Sequence, residues 1–212
     1  MKLLSTLAVA LFAAAPVMAQ TVTLNFEAAP GYVNAIGNFY NGGTDSLGQS
    51  GPNYGVSFTD ALVGLSNDAL GPYYSNAPSP LTVVFGFDSS AFMNVVGGFF
   101  GRLDFEYSAT NAVASAVSVY SGLNGTGALL GSASLLGNAQ LGCSGSAFCN
   151  FDALSVRFAG IGRSIAFGSD APNVLYDNIT ITPVPEPETY LLMFAGLAAV
   201  MGAHRRRRAT AA

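Results

Sequence analysis

Asp104 and Glu106 are the first side chains whose type and spacing could do chemistry. Two carboxylates at i and i+2 of a strand share one face, and such a pair could flank a glycosidic bond as acid and base. Leu103, Phe105 and Tyr107 alternate with them as a buried face, a pattern that equally describes a solvated outer surface with no catalytic role. Most other constellations are excluded by absence. The one histidine, His204, lies close to the end of the chain, so Ser-His-Asp and Cys-His arrangements lack their base. No Lys lies between Gln20 and Thr182 for a Schiff base or a phosphate grip. Gly122 to Gly127 reads G-x-x-G-x-G with no helix following, which is not a dinucleotide fingerprint. No catalytic residue is assigned, and the expectation is a protein that is not an enzyme, with a glycoside hydrolase as the distant alternative.

Cys143 and Cys149 are the only cysteines. In an oxidising compartment an even pair this close reads as a disulfide closing a small loop. The spacing is not Cys-x-x-Cys, and no histidine stands nearby to complete a zinc site. Carbohydrate contact would fall to tyrosine, because the chain has no Trp. Tyr40, Tyr54, Tyr73 and Tyr74 are the candidates, in or beside two long polar stretches, Asn38 to Tyr54 and Ser66 to Pro80. Long loops on a rigid scaffold are where binding sits, although plain solvated connections share the same composition.

The elements that must hold these residues are short and alternating. Val22, Leu24 and Phe26 fall on one face of the first strand. Similar strands are expected at Tyr54–Thr59, Leu81–Phe87, Gly98–Tyr107, Ala114–Tyr120, Ala128–Leu136, Leu154–Phe158, Arg163–Phe167 and Leu175–Ile181. Gly122 to Gly127 joins two of them as a hairpin, since Asn124-Gly125 readily supplies positive backbone angles. The predicted fold is all-β, an antiparallel two-sheet sandwich of jelly-roll kind. Glu27 closes the first strand and Asp177 lies in the last. In many jelly-roll binding modules residues so placed meet around one Ca2+, which makes them candidate metal ligands by analogy with a fold. Asn25 or Asn178 and backbone carbonyls would supply the remaining oxygens. Ordinary strand-end polar residues are the other reading.

The two ends of the chain differ from the middle. Lys2, an uncharged run from Leu3 to Ala15 and the small residues at Val17-Met18-Ala19 read as a secretory signal peptide, residues 1–19, cut before Gln20. At the other end, Pro183-Val184-Pro185-Glu186-Pro187-Glu188 is stiff and extended. An apolar stretch, 190–203, follows, and then His204 and the run Arg205, Arg206, Arg207 and Arg208. Fourteen apolar residues are fewer than the roughly 20 of a comfortable membrane span. Four adjacent guanidiniums, however, anchor a short helix on the cytosolic side, and their long stems extend its reach. The segment is therefore expected to be a transmembrane helix. Between these ends lie residues 20–182, with Arg102, Arg157 and Arg163 against ten acids, a net charge of −7. That balance provides no basic stripe for nucleic acid.

Pro185-Glu186-Pro187, the Leu-, Ala- and Gly-rich stretch and the terminal Arg cluster, in that order over residues 183–208, resemble the PEP-CTERM sorting signal. The resemblance implies export through the inner membrane and transient retention there. It also implies processing near Pro185-Glu186-Pro187 by the membrane protease-transpeptidase exosortase, then release to the cell surface or an exopolysaccharide matrix. The middle of the chain is similar to β-sandwich domains often found upstream of this signal. Asn25-Phe26-Glu27, Asn41-Gly42-Gly43-Thr44, Tyr54-Gly55-Val56-Ser57-Phe58, Val119 to Gly127 and Tyr176-Asp177-Asn178-Ile179 carry that similarity. The expected function is an exported, non-enzymatic surface or matrix protein associated with exopolysaccharide or biofilm, the alternative being a dedicated carbohydrate-binding module.

Overall fold

The computed structural model describes residues 20–168, 171–185, 196–198 and 201. The expected signal peptide (1–19), Glu186, Pro187 and Arg205 to Arg208 lie outside the described residues, as does most of the 190–203 segment. Residues 196–198 and 201 are helical, and no helix among the described residues is long and apolar enough to cross a membrane.

Ten antiparallel strands form one hydrogen-bonded network. They are β1 (Val22–Leu24), β2 (Tyr32–Ala35), β3 (Val56–Phe58), β4 (Leu62–Leu65), β5 (Val83–Gly86), β6 (Phe92–Ala109), β7 (Val113–Tyr120), β8 (Leu129–Leu135), β9 (Asp152–Ala166) and β10 (Val174–Ile181). The main path runs β2-β4-β5-β10-β6-β9-β7-β8, with β1 on β10 and β3 on β6. The all-β, antiparallel expectation holds, with the strands joined in one ten-stranded sheet.

Two strands are much longer than expected. β6 begins at Phe92 rather than Gly98, and β9 joins the two separately predicted strands Leu154–Phe158 and Arg163–Phe167. Glycine explains both corrections. Gly98 and Gly160 each take a positive φ (82° and 89°) inside the strand. There each accommodates a bulge while pairing continues on either side.

β4, β5 and β10 divide their side chains between two apolar clusters. Leu62, Val84, Tyr176 and Ile179 enter the main core. Val63, Leu65, Val83, Phe85 and Leu175 point the other way and are covered by Tyr74, Tyr73, Ala77, Phe148 and Phe151. Burial on both faces erases the alternation that marks a strand, which is why β4 shows no period-2 signal. The cover comes from the 66–80 loop and the loop after β8. Ser75 N–H donates to the Phe148 carbonyl at 2.9 Å, and Cys149 N–H to the Ala139 carbonyl at 2.7 Å. Cys143 and Cys149 form the expected disulfide within this cover. The hairpin between β7 and β8 also turns as expected, with Asn124 and Gly125 at positive φ (51° and 72°).

Candidate functional site

The 66–80 loop is built by its own polar side chains. Asn67 accepts the Tyr73 N–H at 2.9 Å and donates to the Tyr74 carbonyl at 3.0 Å, closing the loop base. Asp68 accepts the Leu70 N–H at 2.7 Å and the Tyr73 hydroxyl at 3.0 Å. Partial desolvation and that hydroxyl bond raise the Tyr73 pKa above the usual phenol range. The first long polar stretch is similarly braced. Buried Asp45 accepts from the N–H groups of Leu47 and Gln49 at 3.0 and 2.8 Å and from the Asn34 amide at 2.8 Å. Neither stretch is an unstructured connection.

The far end of the 66–80 loop is fixed by Glu27 and Asp177. Glu27 Oε1 accepts the N–H groups of Leu81 and Thr82, both at 2.9 Å. Asp177 is fully buried; Oδ2 accepts the Ser79 N–H at 2.8 Å and Oδ1 the Asn178 N–H at 2.7 Å. Ser79 Oγ lies 2.5 Å from Asp177 Oδ1 and 2.9 Å from the Asn25 carbonyl. The two predicted metal residues thus meet on one segment, but Glu27 Oε1 and both Asp177 oxygens face N–H and O–H donors, whose hydrogens stand where a cation would need bare oxygen. No group of three or more metal-ligating side chains occurs among the described residues. This donor set does not fit a calcium cage.

Burial drives the Asp177 carboxyl up from its ordinary value near 3.8 to about 6, against the hydrogen bonds from Ser79 and Asn178. The Ser79 hydroxyl is shared between Asp177 Oδ1 and the Asn25 carbonyl as acceptors.

Of the four candidate tyrosines, two are unavailable to a ligand. Tyr40 is buried, with its hydroxyl accepting the Phe26 N–H at 3.0 Å, and burial pushes its pKa well above the phenol range. Tyr74 is buried under the loop it belongs to; burial raises its pKa to about 12, and its hydroxyl has no partner among the described residues. Tyr54 is partly exposed but lies stacked on Tyr40, centroids 6.0 Å apart. Tyr73 remains, and its partner is one the sequence did not reveal. Tyr32, on β2, is 59% exposed, and its ring lies 5.4 Å from that of Tyr73 at 39°.

These two rings form one wall of an open groove of about 360 Å3, with Val33, Leu70, Pro72 and Phe148 completing much of its lining. Apolar faces with a few polar atoms, here the two phenol hydroxyls, that of Tyr73 bonded to Asp68, suit a ligand that presents both C–H and O–H groups. Tyr32 escaped notice because β2 has no clear alternation and follows Pro30-Gly31, which reads as a turn.

Asp104 and Glu106 do share an outward face, opposite buried Leu103, Phe105 and Tyr107. Asp104 pairs with Arg102 at 2.6 Å and accepts the Ser155 hydroxyl. Glu106 accepts the Asn178 amide at 3.0 Å. Both carboxylates are held by neighbours on an open sheet surface that also includes Ala153 and Thr180.

At the chain's exit the structure describes the start of the sorting segment. Phe100 N–H donates to the Thr182 carbonyl at 3.2 Å, and Val184 N–H to the Gly98 carbonyl at 2.9 Å. The strand direction of β10 therefore continues to within one residue of Pro185.

Comparison with known proteins finds no match among curated sequences. Among solved structures the chain resembles the K2 cleaved adhesin domain of Lys-gingipain, with 14% identity and a TM-score of 0.47 over 77% of this chain and 99% of that one. It also resembles a mutant of CBM29-2, a family 29 carbohydrate-binding module, with 12% identity and a TM-score of 0.38 over 80% and 99%. For CBM29_1 from Piromyces equi the values are 12% and 0.35 over 61% and 80%. None of these likenesses assigns a function to this chain. Residues 183–208 match the family model of the PEP-CTERM protein-sorting motif. The chain thus carries a PEP-CTERM protein-sorting motif at residues 183–208, and the motif implies export and exosortase-dependent sorting at the cell envelope.

Proposed function

We propose that residues 20–182 form a non-enzymatic, jelly-roll-like sandwich domain that exosortase delivers to the cell surface or extracellular matrix, where it contacts exopolysaccharide or biofilm polymer. The sorting motif supports this reading, because it implies export and processing at the cell envelope. The Tyr32–Tyr73 groove supplies the contact: tyrosine faces stack on the C–H faces of sugar rings, while Asp68 and the phenol hydroxyls hydrogen-bond to the sugar hydroxyls. A dedicated carbohydrate-binding module is the second reading, favoured by the same groove; it differs in requiring one preferred glycan on an array.

Affinity electrophoresis through gels containing the host's own exopolysaccharide tests the proposal. Tyr32→Ala and Tyr73→Ala should each weaken retardation about tenfold, the equivalent of roughly 1.4 kcal/mol for one aromatic stacking contact. Tyr40→Phe, inside the core, should leave it unchanged. Equal retardation of the wild type and both groove variants would remove the groove from the account.

A further inference from the structure

We propose that the outward face of the β6–β9 ribbon rests on the anionic surface of the bilayer while the precursor is still anchored. This rests on the reading that residues 190–203 hold the precursor in the membrane. Three observations converge on that face. Val96, Phe100 and Ile161 are exposed there (64%, 40% and 43%) although apolar, and Phe100 and Ile161 are direct cross-strand neighbours. All three basic residues between Gln20 and Pro185 lie on the same two strands. Arg102 and Arg157 pair across the ribbon, and Arg163 flanks Gly98. A domain with ten acids thus gathers its only cations beside three of its exposed apolar residues, a combination suited to anionic lipid headgroups over an acyl boundary.

The third observation is the tether. Val184 is hydrogen-bonded to Gly98, two residues from both Val96 and Phe100. Six peptide steps separate Val184 from Tyr190, where the apolar stretch begins. Fully extended, that length is at most about 20 Å, so the ribbon cannot leave the headgroup region by much. Asp104, the acid nearest these cations along β6, is already paired with Arg102. Arg157 and Arg163 are left exposed beside the apolar side chains.

The chain has no Trp, so a single introduced indole reports its own depth. The full-length chain is reconstituted into phosphatidylethanolamine/phosphatidylglycerol vesicles with brominated acyl chains, and integration is checked by alkaline carbonate extraction. Ile161→Trp fluorescence should be quenched at least about twofold, and Val96→Trp should behave alike should the first substitution disturb folding. Leu70→Trp marks the groove beside Leu175, near the opposite end of β10 from the exit, and should be unaffected. Adding Arg157→Glu and Arg163→Glu should abolish the quenching at Ile161→Trp. Carbonate-resistant protein with no quenching at either ribbon position, or with equal quenching at Leu70→Trp, overturns the inference and leaves the anchor intact. Protein extracted by carbonate overturns the anchor and the inference together.

Discussion

Asp177→Asn should flatten the dependence of stability on pH. In the wild-type domain the carboxyl holds its proton up to about pH 6, whereas in the unfolded chain it releases it near 3.8. Between those values the folded state binds the extra proton, so stability falls as pH rises through this window. Two pKa units correspond to about 3 kcal/mol, fully present below about pH 4 and lost above about pH 6. The sign is opposite to that of a salt-bridged carboxylate. Asparagine removes the titration: its carbonyl can still accept the Ser79 N–H, while its amide N–H2 faces the Asn178 N–H that Oδ1 accepts in the wild type, a constant cost that does not vary with pH. Urea titrations at a series of pH values, wild type against variant, isolate this group from the other acids. A difference that stays constant from pH 4 to pH 7 would contradict the shifted carboxyl. Asp177→Ala strands the buried N–H groups of Ser79 and Asn178, and should cost about 3 kcal/mol above pH 6 and more below pH 4, where the wild type regains the contribution of the protonated carboxyl. Because Glu27 and Asp177 face donors, melting curves in calcium, magnesium and chelator should coincide. A calcium-specific rise lost in Asp177→Ala would make these residues a metal site after all.

Reducing the Cys143–Cys149 bridge, or replacing it by Cys143→Ser with Cys149→Ser, should cost about 2 kcal/mol by the loop-closure entropy of so short a ring. The larger consequence is local. The bridged loop places Phe148, which covers Leu65, Phe85 and Leu175 and forms part of the groove. Its carbonyl receives the Ser75 N–H, and its neighbour Cys149 is held by Ala139. Loosening it opens the second apolar cluster to water while the main core stays closed. Hydrogen exchange should therefore accelerate in β4, β5 and residues 73–77 well before β6 or β9, and polysaccharide retardation should fall with it. Uniform acceleration across all strands would show that the cover and the core unfold as one unit.

These local dependencies explain what was legible in the sequence. Features set by neighbours along the chain read directly: the sorting segment, the close cysteine pair, the Asn124-Gly125 turn, and the outward Asp104 and Glu106 against inward Leu103 and Phe105. Features set by contacts distant in sequence did not. β4 lost its alternation because two layers bury it, and β9 was split because a bulge glycine and a turn glycine are written with the same letter. Tyr40 and Tyr74 have the composition of binding-loop residues, yet Phe26 and the loop's own fold bury them. Tyr32 joins Tyr73 only because Asn67 and Asp68 turn the loop back over β2. The same pairing of distant segments hid the role of Glu27 and Asp177, whose partners Ser79, Leu81 and Thr82 lie far away along the chain.

The central claim is that this chain is exported and then released from a sorting tail. Intact-mass spectrometry of the protein recovered from the cell surface, in hosts with and without exosortase, tests it most directly. With exosortase, the chain should begin at Gln20 and end near Pro185-Glu186-Pro187, without Arg205 to Arg208. Without exosortase, the tail should remain and the protein should fractionate with the inner membrane. Surface protein that still carries Arg205 to Arg208 in the exosortase-positive host would contradict the account.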